Sequence, residues 1–270
     1  MSNAIDNVMS ELFTFPDSAM LERVSSIQVI QQSLDHINKR RRGEIKALKT
    51  KYSKLNHWMA GGIELDTITC ISALSGGGKS TISKTFRDSI AELNKDMKIK
   101  QLIFNFEMVA HHQAARSASS KLKKSLRHIY SIDDEPMTDE EYAVIAEYYK
   151  ELAKRDIDFV EVSGTAVQIA RTIYGTWKNH CQGTDTILVY EVDHALLTLG
   201  KSTDKEKEKI DDLMLALVLT KKKIASEGGH SVGIVLSQMN REIKKVERRM
   251  QPELHRPDTS CLMGALNMIY

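Results

Sequence analysis

The sequence has little cysteine, and its three cysteines lie far apart. Cys70, Cys181 and Cys261 form no Cys-x-x-Cys pair. A disulfide framework or a cysteine-ligated zinc site needs several cysteines at close, regular spacing. We therefore exclude both kinds of site and expect the cysteines to be small core residues of a protein from a reducing compartment.

Long hydrophobic runs and an excess of one sign of charge are also lacking. No run of about 18 apolar residues occurs, and the N-terminus has no apolar segment of the signal-peptide type. These absences predict a soluble, cytoplasmic protein that makes no contact with a membrane. The 38 Lys and Arg residues nearly balance the 36 Asp and Glu residues, leaving a net charge of +2. Overall charge therefore does not indicate a nucleic-acid binder, and such a surface would depend on local clusters.

A glycine cluster between a β-type run and a helix-type run is the most informative stretch of the sequence. Residues 67–85 contain it, with the pattern Ala73-x-x-Gly76-x-Gly78-Lys79-Ser80. Glycines let backbone N–H groups turn toward a phosphate chain, and the N-terminus of a helix directs its positive dipole at the same point. This is the pattern of an ATP-binding P-loop, with Ala73 where the usual motif has glycine. The alternative is a glycine-rich turn that binds nothing.

The P-loop pattern assigns roles to individual residues. Lys79 is expected to reach the β- and γ-phosphates and to assist catalysis, and the Ser80 hydroxyl is expected to hold Mg²⁺. The residues predicted to bind the nucleotide are Ser75, Gly76, Gly77, Gly78, Lys79, Ser80 and Thr81.

Residues 1–20 are polar and are interpreted as a short arm, whereas residues 21–43 carry an apolar stripe at helical spacing. The stripe comprises Val24, Ile27, Ile30, Leu34 and Ile37. A helix with one apolar face and nothing of its own to cover it suggests docking on another subunit. The helix is expected to end in the basic residues 39–42, which are either a solvated helix end or a DNA contact.

Strand-type and helix-type segments alternate through residues 44–270, which we interpret as one domain. This alternation predicts a three-layer α/β fold with a mostly parallel sheet. The five strand-type segments are residues 67–74, 101–106, 158–162, 186–193 and 231–236.

Three of these segments end in a residue suited to ATP chemistry. Glu107 follows the second segment, which we expect to lie next to the P-loop strand, and it can act as a general base there or be a plain surface residue. Asp193 ends the fourth segment and can hold magnesium through a water, with Glu191 as the competing acid; strand alternation favours Asp193. Gln238, two residues beyond the fifth, means little as a bare glutamine; if buried, it can hydrogen-bond the γ-phosphate and sense it.

The densest basic run lies just beyond Gln238. It contains Arg241, Lys244, Lys245, Arg248 and Arg249. From the residues alone, a DNA contact and a solvated helix face are equally good interpretations.

Several motifs, in order, resemble the ATPase domain of DnaB-type replicative helicases, over residues 21–270. They are Thr50-x-Tyr52-x-x-Leu55-Asn56 with Gly61-Gly62, the P-loop with Ala73, Phe106-Glu107-Met108, Asp193-His194, and Ser237-Gln238-Met239-Asn240-Arg241.

The resemblance implies a RecA-like P-loop fold preceded by a linker helix, with ATP and Mg²⁺ as cofactors. It also implies Glu107 as the catalytic glutamate, a homo-oligomeric ring (a hexamer), and single-stranded DNA in its channel, contacted by the basic run. The implied activity is ATP-driven translocation that unwinds duplex DNA at a replication fork. Primase or a helicase loader would be further partners. The short N-terminal arm suggests a phage-type or divergent member, which would act in the cytoplasm of its host.

The sequence also departs from the helicase pattern. Residues 256–264 match the following DNA-binding loop only loosely, and no residue matches the segment that leads to an arginine finger. We therefore expect the C-terminal part of the ATPase domain to be missing and the chain alone to hydrolyse ATP slowly. Two other readings stay open: a RecA-, RadA- or KaiC-like ATPase, and a non-enzymatic ATP-binding module that docks on a helicase.

Overall fold

In the computed structural model, the described residues are 24–74, 77–106, 109–130, 136–193, 195, 198–200, 206–238 and, for the backbone only, 265–267. Their helices are α1 (Ser26–Arg41), α2 (Ser53–Trp58), α3 (Lys79–Leu93), α4 (Ala110–Leu122), α5 (Leu126–Tyr130), α6 (Asp139–Ala153), α7 (Ala166–His180) and α8 (Glu206–Ser226). Their strands are β1 (Ala47–Leu48), β2 (Ile63–Glu64), β3 (Thr67–Ala73), β4 (Ile99–Asn105), β5 (Ile157–Val160), β6 (Ile187–Asp193), β7 (Ser231–Gln238) and β8 (Ala265–Asn267).

The main sheet has the strand order β5-β4-β6-β7-β3-β8. The first five strands in this order are parallel, and β8 runs antiparallel to β3. Parallel strands place their carboxyl ends at one edge of the sheet, so the ends of β3, β4, β6 and β7 share an edge. The predicted α/β fold with a mostly parallel sheet is confirmed.

Helices cover both faces of this sheet. On one face, α7 and α8 pack against Leu188, Tyr190 and Val192 of β6. On the other face, α3 packs through Phe86 and Ile90 against the alternate residues of the same strands. Because both faces are covered, the central strands are almost continuously buried, as parallel sheets require. The structure therefore has the three layers that the alternating pattern predicted.

Two details of the sequence interpretation are wrong. The strand before Glu107, β4, does not lie next to the P-loop strand β3, because β6 and β7 lie between them. Strand alternation also does not separate Glu191 from Asp193. Side chains alternate with a period of two, so these residues share one face of β6, the face toward α3.

The helix predicted within residues 21–43 is α1. It begins at a capping box in which Ser25 accepts a hydrogen bond from the backbone of Gln28. Its large apolar residues are 50–67% exposed. Arg40 ties its end to the domain through the Glu64 carboxylate, at 2.7 Å, and the Ala60 carbonyl, at 2.8 Å. Among the described residues, no helix is both long and apolar enough to cross a bilayer.

The segment before the P-loop strand is held by one asparagine. The Oδ1 atom of Asn56 accepts hydrogen bonds from the backbone N–H and the hydroxyl of Thr50, and its Nδ2 donates to the Thr50 carbonyl. Thr50 is buried. These two residues of the first motif therefore stabilise a loop, and their spacing has a structural cause.

Two of the three cysteines lie in or against the core, as expected. Cys181 is buried and Cys70 packs against the same cluster of apolar residues. Both are free thiols. Burial raises the pKa of Cys181 to about 11 and also raises the pKa of Cys70, so both thiols stay protonated and poorly reactive at neutral pH. Cys261 lies outside the described residues.

Candidate nucleotide site at the carboxyl edge of the sheet

The P-loop connects the end of β3 at Ala73 to the start of α3 at Lys79. Gly78 is the N-cap of α3 and has φ of +79°, a conformation that favours glycine. The backbone N–H of Gly77 donates to the Leu74 carbonyl at 2.9 Å. A Cβ at Gly77 would lie 2.9 Å from that carbonyl oxygen, so the turn is too tight for a side chain. The sequence thus builds a cradle that only glycines fit.

The first residues of α3 face this cradle. The first N–H groups of a helix have no partner within the helix, and here they belong to the residues that follow Gly78. Together with the helix dipole they form an anion site. Lys79 is buried at 9% exposure, Ser80 is half-buried and Thr81 is exposed. This donor set fits a phosphate chain, with Lys79 as the cation.

Two predicted residues lie at the same edge and on the same face as the P-loop. Gln238 is paired in register with Ala73, directly beside the start of the P-loop. Asp193 ends β6, the next strand along. The Phe106 N–H donates to the Asp193 carbonyl at 3.4 Å, so β4 follows β6 up to the residue before Glu107. The fold thus gathers Lys79, Ser80, Gln238 and Asp193 at one edge.

Glu191, the competing acid, forms a buried ion pair with Arg87. Its Oε1 lies 3.6 Å from Nη1 of Arg87, and both side chains are buried. Arg87 also donates from Nη2 to Oε1 of Gln113 at 3.3 Å, while its backbone carbonyl accepts from Gln101 at 3.2 Å. Glu191 is therefore held inside the domain against α3, and Asp193 is the carboxylate at the edge.

The sequence interpretation missed Arg87. A signal for it exists: a cation lies beside the apolar face of α3, and an acid interrupts the apolar run of β6. Two opposite charges at positions expected to be buried indicate an ion pair, because an isolated buried charge is unfavourable.

The site suits a metal that is shared with a ligand. In the part of the chain that the structure describes, no group of three or more His, Cys, Asp and Glu side chains could hold a metal. Mg²⁺ in nucleotide sites takes one or two protein ligands and completes its shell with phosphate oxygens and waters. Ser80 and Asp193 are the residues that would supply the protein ligands, Asp193 through a water.

Several predicted site residues lie outside the described residues. They are Ser75, Gly76, Glu107, Arg241, Lys244, Lys245, Arg248 and Arg249. Their roles stay predictions.

Comparisons with known proteins identify a family and a fold. The sequence matches the family described as the DnaB-like helicase C-terminal domain over residues 47–263. No curated protein sequence matches the chain.

Two solved structures are similar to this chain. One is a DnaB-like replicative helicase described with its interactions with primase, at 15% identity and a TM-score of 0.66, covering 90% of this chain and 58% of that one. The chain therefore spans somewhat over half the length of that relative. The other is described as an ATPase domain, at 16% identity and a TM-score of 0.65, covering 83% of this chain and 74% of that one. At these identities the likeness concerns the fold, which is that of RecA-type ATPase domains.

The family match, over residues 47–263, covers well over half of the sequence. The chain belongs to the DnaB-like helicase C-terminal domain family.

Proposed function

We propose that the chain is the ATPase motor of a replicative DNA helicase, which hydrolyses ATP to move along single-stranded DNA and unwind duplex. The observation that carries this proposal is the meeting of the Gly77–Gly78 cradle and buried Lys79 with Asp193 and Gln238 on one face and edge of the sheet. Family membership supports the helicase part of the proposal.

The chain's own residues perform the binding steps. The N–H groups at the start of α3 and the Lys79 ammonium bind the β- and γ-phosphates and neutralise part of their charge. Ser80 and, through a water, Asp193 would hold Mg²⁺, and the bound ion would supply positive charge beside the transferred phosphoryl group. Gln238, beside Ala73, hydrogen-bonds the γ-phosphate, and Glu107 accepts the proton of the attacking water.

The motor is proposed to work as a ring of identical subunits, a hexamer. Support comes from α1, whose apolar stripe is exposed on its own chain and joined to the domain by Arg40. A neighbouring subunit would bury this stripe. Primase is a further proposed partner, since a relative with this fold is described with primase.

The basic run from Arg241 to Arg249 is proposed to contact single-stranded DNA. Neutralising Lys244, Lys245, Arg248 and Arg249 together should weaken binding and flatten its salt dependence, because each lost phosphate contact removes about 0.7 from the log–log slope. Fluorescence titrations with a labelled single strand at several salt concentrations measure that slope. An unchanged slope would make the run a solvated surface.

Strand displacement on a forked duplex tests the proposed function. The full chain with ATP and Mg²⁺ should separate the strands only slowly, as expected of a chain in which no arginine finger is matched, and Lys79→Ala should abolish this. Lys84→Ala is the matched control, because Lys84 is a cation of the same helix that pairs with Asp88 instead of lying beside the cradle. Equal unwinding by the Lys79→Ala and Lys84→Ala variants would contradict the proposal.

A further inference from the structure

Asn105 is a buried amide that its own protein leaves unsatisfied. It is the last residue of β4 and is 1% exposed. Among the residues that the structure describes, neither Nδ2 nor Oδ1 of its side chain has a hydrogen-bond partner. A buried amide without partners is unfavourable, and folded proteins rarely leave one without a functional reason.

The position of Asn105 points to that reason. It is paired in register with Asp193 on the neighbouring parallel strand. Strands in a sheet lie about 4.8 Å apart, so in-register residues on one face have neighbouring side chains. Both side chains lie on the face toward α3, since Leu102 and Phe104 of β4 belong to the core cluster on the opposite face. The amide therefore lies beside the aspartate that is predicted to hold Mg²⁺.

The chemistry of the two groups is complementary. A carboxylate only accepts hydrogen bonds and a metal-bound water mainly donates them, whereas a carboxamide does both. The amide is closed off from solvent, so bulk water does not satisfy it. Hydrogen bonds to a metal's carboxylate ligands fix their orientation and tune the affinity for the metal.

We propose that Asn105 is a positioning residue for the metal site: with Mg²⁺ bound, its amide would hydrogen-bond the Asp193 carboxylate and a water of the metal. This inference rests on the proposed nucleotide site. It gives Asn105 no part in the chemical step, because the residue acts through Asp193.

Gln101 offers a matched control on the same strand. It lies on the same face four residues earlier and is also buried, at 2% exposure. Its Nε2 donates to the Arg87 carbonyl, so its amide has a structural bond far from the edge. Replacing Asn105 or Gln101 by leucine removes a carboxamide and leaves an apolar side chain of similar size in the same buried layer.

The test is the Mg²⁺ concentration needed for half-maximal binding of a fluorescent, non-hydrolysable ATP analogue by the full chain. Asn105→Leu should raise this concentration at least about tenfold, as expected for a group that supports a metal ligand. Its melting temperature should not fall, because the amide has no protein partner to lose. Asn105→Ser, which keeps a donor and an acceptor, should restore part of the affinity. Gln101→Leu should lower the melting temperature and leave the Mg²⁺ dependence unchanged.

Other outcomes overturn the inference. A folded Asn105→Leu protein with the Mg²⁺ dependence of the wild type shows that the amide does not serve the metal site. If Gln101→Leu raised the required Mg²⁺ concentration as much as Asn105→Leu does, the cause would be a general disturbance of the buried layer and not the loss of the Asn105 amide. If the wild type itself binds no nucleotide with Mg²⁺, the proposed function fails first and the inference fails with it.

Discussion

The two edges of the parallel sheet use their polar residues in opposite ways. At the amino edge, charges are paired between neighbouring strands: Lys100 with Asp156 and Asp158, Lys98 with Asp185, and His230 with Asp66. At the carboxyl edge, the first N–H groups of α3 follow Gly78, and the amide of Asn105 has no hydrogen-bond partner among the described residues. The charged side chains named at the amino edge are paired with one another, whereas the carboxyl edge places donors and acceptors for a ligand.

This difference follows from the fold and from electrostatics. The loops after parallel strands lie at the carboxyl edge of the sheet, next to the N-termini of the helices that follow. A helix N-terminus stabilises an anion. The amino edge receives no such helix N-termini, so charged side chains there are best used in pairs. The contrast predicts that substitutions at the carboxyl edge alter binding and turnover, whereas substitutions at the amino edge alter stability.

The largest expected effect is on turnover at the carboxyl edge. Glu107→Gln should keep nucleotide binding and lower the ATP hydrolysis rate by about 10²–10⁴, because an amide does not accept the water's proton. Steady-state phosphate release, measured beside binding of the ATP analogue, separates the two effects. If Asp193→Asn reduced turnover and Glu107→Gln did not, the roles assigned to Glu107 and Asp193 would be wrong.

Arg87 and Glu191 form a buried ion pair beneath the ligand edge, so substitutions in this pair should alter stability. Arg87→Met alone should destabilise the fold by about 3–5 kcal/mol, since it leaves a buried carboxylate without its cation. The double variant Arg87→Met with Glu191→Leu should recover most of that loss, because it removes both buried charges. Urea unfolding of the single and double variants measures this. A double variant as unstable as the single one would contradict the account.

Sequence reasoning reached the fold and the cradle because both depend on local pattern. Alternation of apolar segments predicts covered strands, and the glycines before Lys79 predict a P-loop. The strand order was not predicted, because the sequence between β3 and β4 does not indicate that β6 and β7 lie between them in the sheet. The neighbourhood of Asn105 and Asp193 and the pairing of Arg87 with Glu191 depend on that order and on register, which no local pattern encodes.

A smaller effect is expected at the amino edge. Burial alone lowers the pKa of Lys100, but its hydrogen bonds to Asp156 and Asp158 outweigh this and raise the pKa above 10.5. Its contribution to stability is therefore fully present below pH 10.5 and is lost as the pH rises through the raised value. Lys100→Met should cost roughly 1 kcal/mol at neutral pH and remove part of the alkaline loss of stability. Unfolding curves from about pH 8 to about pH 12, a range that includes the ordinary lysine pKa of about 10.4, check this, and nucleotide binding should not change.

The most direct measurement of the central claim is ATP binding by Lys79→Ala, compared with Lys84→Ala. Lys79→Ala should lose affinity for ATP with Mg²⁺ by at least about tenfold. The charge-assisted hydrogen bonds of a buried lysine to phosphate are worth more than about 1.4 kcal/mol, which corresponds to this factor. Lys84→Ala should bind as the wild type does, and circular dichroism should show that both variants are folded. Unchanged affinity in a folded Lys79→Ala protein would contradict the assignment of this edge as a nucleotide site.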